Sequence, residues 1–303
     1  DLSIESAAET GALPSPDRAP AESVMVHAGI PPTSAEDTTT VVFPLLHGPM
    51  GEDGTVQGLL ELAGVPYIGS GVLGSALCMD KSVAKEVLRS HGIPQGRWIS
   101  ARANELSEGF EQEIGETLGY PVFVKPANLG SSIGISRATT ATEVREAVEL
   151  AQAYDEYIVF EEEVRGREVE VAVLGDLDPK ASLPGEIVCD DTFYGFEQKY
   201  ESDSAKLLVP APLSDTEVAN VQALAIRTFK ALRAEGMARV DFFYREDGVF
   251  LVNEVNTIPG FTPISMYPML WEASGLGYAA LIDELVQLAL ARHQRRSRFI
   301  TSH

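Results

Sequence analysis

The residues best suited to chemistry lie in ARVDFFYREDGVFLVNEVNT, from Ala238 to Thr257. Two apolar runs flank Asp247-Gly248, a strong signal for a hairpin with a two-residue loop. With that loop, Glu246 faces Val249, Asp241 faces Glu254 and Arg239 faces Asn256. Residues two apart on a strand share a face, so Arg239, Asp241, Glu254 and Asn256 gather on one face. Two acids directly opposed destabilise a sheet unless a cation lies between them. Arg239 could be that cation, which would make the cluster an ion pair on a wet surface. Phe243, Val252 and Val255 argue instead for a half-buried sheet. Two acids and an amide offer the hard oxygens that Mg²⁺ prefers, and Mg²⁺ on few protein ligands commonly also holds substrate phosphates. This face is therefore expected to carry Mg²⁺ on a nucleotide.

A second stretch, PVFVKPANLGSSIGIS (Pro121 to Ser136), has the Gly and Ser content of a phosphate-binding loop. Its lysine precedes the loop, so it is not the Gly-x-x-x-x-Gly-Lys-Ser/Thr arrangement that opens a helix. VFVK and IGIS read as strands, and the loop joins them. Gly130, Gly134 and the serines would let backbone N–H groups approach phosphate oxygens. Lys125, at the strand end, would reach the same phosphates as a point charge. Taken alone, the loop is equally a Gly-rich hairpin turn; paired with the acidic hairpin it favours phosphate.

These stretches need elements to hold them. Residues 1–79 read as an N-terminal α/β domain, with a buried strand over Thr39 to Leu46, a helix in TVQGLLELAG and a short strand in VPYIGSG. Residues 80–163 read as a small α+β domain that begins at Asp80, a helix N-cap, and carries the Gly/Ser loop. Residues 164–303 form a third unit. It has the alternating strand REVEVAVLGD, an aperiodic stretch from Gly185 to Pro210 suited to a lid, a helix over Asp215 to Glu235, the acidic hairpin and a last helix from Tyr278.

The chain has 303 residues, 45% of them apolar and 22% charged, enough for two or three packed domains. Its net charge of −22 argues against nucleic acid and anionic membranes as partners. No apolar run approaches a membrane span. Cys78 and Cys189 stand apart without metal or redox spacing, which points to a reducing cytoplasm. RHQRRSR (Arg292 to Arg298) reads as a solvated helix end rather than a binding patch.

Taken together, HGPMGEDGTVQGLLELAGVPYIGSG, MDKSVAKEVL, VFVKPANLGSSIGIS, GEIV with FYGFEQKY, ARVDFF and NEVNTIPGFTPISMYP resemble the D-alanine–D-alanine ligases. The resemblance runs from about Val41 to the C-terminus. It implies the ATP-grasp fold, in which two α+β domains clasp ATP, behind a Rossmann-like parallel α/β domain. It also implies a homodimer. By the resemblance, Lys85 and Lys125 would contact ATP phosphates, and Glu161 the adenine amino group. Glu162 and Val164 would frame the adenine through their backbones, and Glu168 would take the ribose hydroxyls. Phe193 would cover the nucleotide, and Lys199 would reach its phosphates. Asp241, Glu254 and Asn256 would hold two Mg²⁺ ions (or Mn²⁺), with Glu254 shared.

The implied reaction has two steps. The carboxylate of one D-alanine attacks the γ-phosphate to give an acyl phosphate, and the amine of a second D-alanine then displaces phosphate. Arg239 and the Gly260 N–H would stabilise the oxyanion. Ser131 and Tyr200 would link the Gly/Ser loop to the lid and orient substrates or help move the amine proton; a purely structural role suits them equally. His47 would lie near the first D-alanine, Ser265 and Met266 near the carboxylate and methyl of the second. Capping at a helix start accounts for Glu52 and Asp53. Tyr200 favours an amine as second nucleophile over D-lactate, the substrate of a related depsipeptide ligase. Family members open on a Gly-rich turn whose glutamate binds the first D-alanine's amine. No such turn is found here, so the N-terminal domain is expected to be incomplete at its start, which keeps a non-catalytic ATP-binding module as an alternative.

Overall fold

A computed structural model describes residues 39–130, 133–188 and 206–299. The N-terminal part contains helices α1 (Thr55–Leu62) and α2 (Val72–Met79). The strand expected over Thr39 to Leu46 pairs at one residue only, Val42, which forms a parallel bridge with Tyr67. Pro44 has no N–H to continue a ladder, and Leu45 and Leu46 are exposed. Helix α2, VLGSALCM, was not foreseen; it is apolar almost throughout and shows little helical periodicity. Asp80 separates it from α3 (Lys81–Ser90) and caps α3 as expected, its carboxylate accepting from the Val83 N–H.

The central part is an antiparallel sheet of β1 (Trp98–Arg102), β2 (Val122–Pro126), β3 (Ser136–Ala138) and β4 (Tyr157–Glu162), in the order β1-β4-β2-β3. Helices α4 (Phe110–Leu118) and α5 (Ala141–Ala151) bury Ile114, Leu118, Val144 and Val148 against Val122, Val124, Ile158 and Phe160. Strand β1 escapes sequence reading because every residue in it is half-buried, with no alternation to reveal a face.

The C-terminal part holds β5 (Arg167–Gly175), β6 (Lys180–Ala181), β7 (Gly185–Val188), β8 (Lys206–Leu208), helix α6 (Asp215–Ala231), β9 (Gly236–Tyr244), β10 (Phe250–Asn256), α7 (Met266–Ala273) and α8 (Tyr278–Arg296). The sheet runs β10-β9-β5-β7-β8, with β6 on β5, and every pairing is antiparallel. Its two faces bury different cores. Val169, Val171, Val173, Val240 and Phe242 pack with residues of α6. Ala172, Leu174 and Met237 pack with residues of α7 and α8. The stretch expected to be aperiodic from Gly185 to Pro210 begins and ends in strands, β7 and β8, which pair with each other.

The acidic hairpin differs from its expected form in two compensating ways. Its loop has three residues, Glu246 to Gly248, closed by the Arg245 N–H on Val249 O at 3.0 Å. Gly248 takes the left-handed conformation (φ 81°) that ends such loops. That shifts the register near the turn by one. A bulge between Val252 and Glu254 then restores it, so Asp241 still faces Glu254 and Arg239 still faces Asn256. The bulge also lets Val252 and Val255 both enter the core. Phe242, not Phe243, joins them there.

The basic run at the end of α8 is not a solvated helix end. Arg292 is 4% exposed, lies over the Tyr67 ring at 4.5 Å, and donates to the carbonyls of Tyr67 (2.7 Å) and Gly69. Arg296 bridges Glu61 and Glu235, and Arg295 reaches Asp176. The run clamps the N-terminal part onto the C-terminal sheet.

Candidate functional site

Sheet register sets a row of three acids on neighbouring strands. Glu170 on β5 faces Asp241 on β9, and Asp241 faces Glu254 on β10. In the next row Arg239 stands between Ala172 and Asn256. The Arg239 guanidinium grips Asp241 with two bonds of 2.7 Å, Nε to Oδ1 and a terminal nitrogen to Oδ2. Asn256 Nδ2 donates to the same Oδ2 at 2.9 Å. Glu170 Oε2 lies 3.1 Å from Arg239 Nε. Burial, reinforced by the charge of Asp241, pushes the Glu170 carboxyl well above the ordinary range. Burial alone would lower Arg239; the charges of Asp241 and Glu170 reverse that and hold it cationic. Glu168 stands two residues from Glu170 on the same face and repels it.

A second charge cluster adjoins this row. Lys85 on α3 and Lys125 on β2 each approach Glu161 Oε2 on β4 to 3.3 Å. Burial alone would raise the Glu161 carboxyl, but the charges of Lys125 and Lys85 overcome it and hold it at about 2. Burial costs Lys85 more than Glu161 returns, so its ammonium titrates below the usual lysine value. Lys81, half-buried beside them, is lowered by desolvation against the opposing charge of Glu254. Its Nζ donates to Leu129 O in the Gly/Ser loop. Lys81 thus joins the loop to the acid row.

The Gly/Ser loop is pinned at its start. Asp155 Oδ2 accepts from Asn128 N (2.8 Å) and Nδ2 (2.9 Å), while Oδ1 accepts from Tyr157 N. Gly134 has φ 71°, and a Cβ there would come within 2.8 Å of the Tyr154 ring. From the N-terminal part, Glu52 reaches the same region. Its Oε2 accepts from Gly48 N at 2.6 Å, and burial, with the charge of Glu254 adding to it, raises its carboxyl above the ordinary value. Capping does not account for Glu52, because Gly54 is the N-cap of α1. His47 itself is exposed beside it. At the other end, Ser265 Oγ accepts from Thr262 N at 3.1 Å, and a Cβ on Gly260 would meet that Oγ at 3.0 Å.

Comparison with known proteins bears directly on this arrangement. The family described as D-ala D-ala ligase C-terminus matches residues 87–287, and its companion, D-ala D-ala ligase N-terminus, matches residues 4–70. The chain belongs to the D-alanine–D-alanine ligase family. A D-alanine–D-alanine ligase of Bacillus pumilus is 47% identical over 274 residues, 89% of this chain and 76% of the relative. The solved D-alanine–D-alanine ligase of Coxiella burnetii superposes with a TM-score of 0.76 at 42% identity, covering 87% of this chain and 72% of that one. That of Bacillus anthracis, solved with ATP, gives 0.75 at 29% identity over 91% and 85% of the two chains. The ATP-grasp fold expected from the motifs follows, and the match to the N-terminal family begins at residue 4, well before Val41.

Within the ligase frame, the expected site residues fall out differently. Lys85, Lys125, Glu161, Arg239, Asp241, Glu254 and Asn256 form the two adjoining clusters. Glu162 turns its carboxylate outward onto Arg97, and its N–H donates to the Arg97 carbonyl at 3.0 Å. Met266 packs into the core, where a Cβ on Gly185 would come within 2.9 Å of its sulfur. Ser131, Phe193, Lys199 and Tyr200 lie outside the described residues. Sequence reading missed Lys81, Glu170 and Asp155. The signal for Glu170 was present: it sits at even spacing from Glu168 in REVEV, but its partner strand was not yet known.

Two outcomes follow. Asp155→Ala should raise KM for ATP roughly tenfold with little change in kcat, because the loop loses two bonds worth about 1 kcal/mol each; steady-state kinetics checks it. Glu161 has a folded pKa of about 2 against an ordinary 4.5, so its contribution is full above pH 4.5 and is lost as pH falls toward 2. It is on the order of 3 kcal/mol. Glu161→Gln should flatten that acid limb in unfolding curves taken between pH 5 and 2.

Proposed function

We propose that this chain joins two D-alanine molecules into D-alanyl-D-alanine, converting ATP to ADP and phosphate through an acyl phosphate, as a supply of peptidoglycan precursor. It is an ATP-dependent ligase by family. The observation that carries the reading is the facing pair Asp241 and Glu254, with Arg239 and Asn256 beside them and Lys81, Lys85 and Lys125 adjoining.

Asp241, Glu254 and the Asn256 carbonyl are hard-oxygen donors that fit Mg²⁺, with substrate oxygens completing the shell. Bound there, Mg²⁺ would supply charge neutralisation on the triphosphate. Lys81, Lys85 and Lys125 add to it, which lets a carboxylate approach a γ-phosphate against like charge. Arg239 and the Gly260 N–H hold the oxyanion formed when the second amine adds. Glu161 keeps two of the lysines in place before ATP arrives. Ser265, fixed by Thr262, meets the carboxylate of the second D-alanine, with His47 beside the first. Glu168 takes the ribose, and the lid expected between Gly185 and Pro210 falls mostly outside the described residues.

A cytoplasmic location and a homodimer belong to the same proposal; a free buried thiol at Cys78 suits the first. Among the described residues no helix is long and apolar enough to cross a membrane. The test is phosphate release with ATP and Mg²⁺ in the presence of D-alanine, L-alanine or D-lactate with D-alanine. Release that requires D-alanine, with D-alanyl-D-alanine as the product, is expected. Release indifferent to D-alanine would defeat the proposal.

A further inference from the structure

Arg239 cannot serve Asp241 and the reaction at once. Its guanidinium occupies both oxygens of Asp241, the atoms that a divalent cation needs. When Asp241 turns to a cation, a buried guanidinium must find other acceptors, since a buried charge left without partners is costly. One acceptor is already in place. Glu170 Oε2 lies 3.1 Å from Arg239 Nε, yet it makes no hydrogen bond, because that N–H is aimed at Asp241 Oδ1. Glu170 is 5% exposed, so water does not supply the missing bond. It lies in register with Asp241, one strand further from Glu254.

We infer that Glu170 is a positioning residue that receives Arg239 when Asp241 is taken by the divalent cation, and so keeps the guanidinium at the reacting centre. The Arg239 Nε–H passes from Asp241 Oδ1 to Glu170 Oε2; no covalent bond changes and no proton is transferred. The hand-over lowers the cost of opening Asp241 and fixes Arg239 on the side of the row away from Glu254. Glu170 itself ligates nothing. The inference rests on the proposed Mg²⁺–nucleotide site and deepens it.

Mn²⁺ binding to the full chain, read by electron paramagnetic resonance without nucleotide, tests the hand-over through a double-mutant cycle. Wild type, Glu170→Gln, Arg239→Met and the double variant are compared, with folding of each verified by thermal melting. If Glu170 acts through Arg239, Glu170→Gln weakens Mn²⁺ about tenfold in the wild-type background and has no effect once Arg239 is Met. Its kcat with D-alanine falls about tenfold while KM for ATP stays within twofold, and Glu170→Asp recovers part of both losses. Equal weakening in both backgrounds would mean that Glu170 is a ligand or a plain field charge, and overturns the inference. Unchanged Mn²⁺ affinity in Glu170→Gln overturns it as well. Wild type that fails to bind Mn²⁺ at all contradicts the metal site of the proposed function instead. Should Arg239→Met fail to fold, a crystal structure of Mn²⁺-bound wild type decides: Arg239 Nε bonded to Glu170 supports the hand-over, and Arg239 still on Asp241 refutes it.

Discussion

The Asp241→Asn, Glu254→Gln double variant is expected to fold and to lose D-alanine-dependent phosphate release by about a thousandfold or more. Both substitutions keep shape and remove charge. Three acids lie in register across three strands, an arrangement that like-charge repulsion disfavours. Neutralising two of them relieves that repulsion, and Arg239 keeps Glu170 as a partner, so thermal stability should hold or rise slightly. Catalysis has no such compensation. Charge neutralisation at a transferring phosphoryl group is commonly the largest single contribution, and losing one fixed donor of this kind costs about 10²–10³ in rate. Adenosine binding should survive, because Glu161 and Glu162 lie on β4 of the central sheet and Val164 just beyond it, away from the two substituted strands. Calorimetry with adenosine, beside the phosphate assay, separates loss of chemistry from loss of fold. A double variant that keeps a tenth of its turnover would contradict the role given to this pair.

Arg292→Leu is expected to lower unfolding free energy by about 3–5 kcal/mol, since it breaks a buried ionic contact and strands its partners. The carbonyls of Tyr67 and Gly69 lose a charged donor, Tyr67 loses the cation over its ring, and Glu235 loses a neighbour at 3.6 Å. Leucine fills part of the volume but satisfies neither carbonyl. The thermal midpoint should drop by roughly 10 °C. Arg298→Ala, in the same basic run but exposed, should stay within about 0.5 kcal/mol. Equal effects for the two would mean that the run is a solvated helix end after all.

How far sequence reading reached can be argued from particular residues. The acidic face was legible because Asp241 and Glu254 sit in strands whose parity the core enforces. The assumed two-residue loop was one residue short, and the bulge after Val252 cancelled the difference. That agreement was partly fortunate, since a bulge leaves no reliable mark in sequence. Lys125 was legible from its place at a strand end. The resemblance singles out Lys85; Lys81 lies about one helical turn before it on α3, and only the fold shows that Lys81 contacts the loop. Arg292 was misread for a related reason: a helix end rich in cations looks solvated until the segment packed against it is known. Glu170 and Asp155 depend on strand order, which no local pattern encodes.

The most direct test of the account is anomalous diffraction at the manganese edge from crystals grown with Mn²⁺ and a non-hydrolysable ATP analogue. The account predicts density within about 2.5 Å of carboxylate oxygens of Asp241 and Glu254, with the analogue's phosphates running from there toward Lys81 and Lys125. Density at another set of residues, or phosphates bound away from the loop that follows β2, would contradict it.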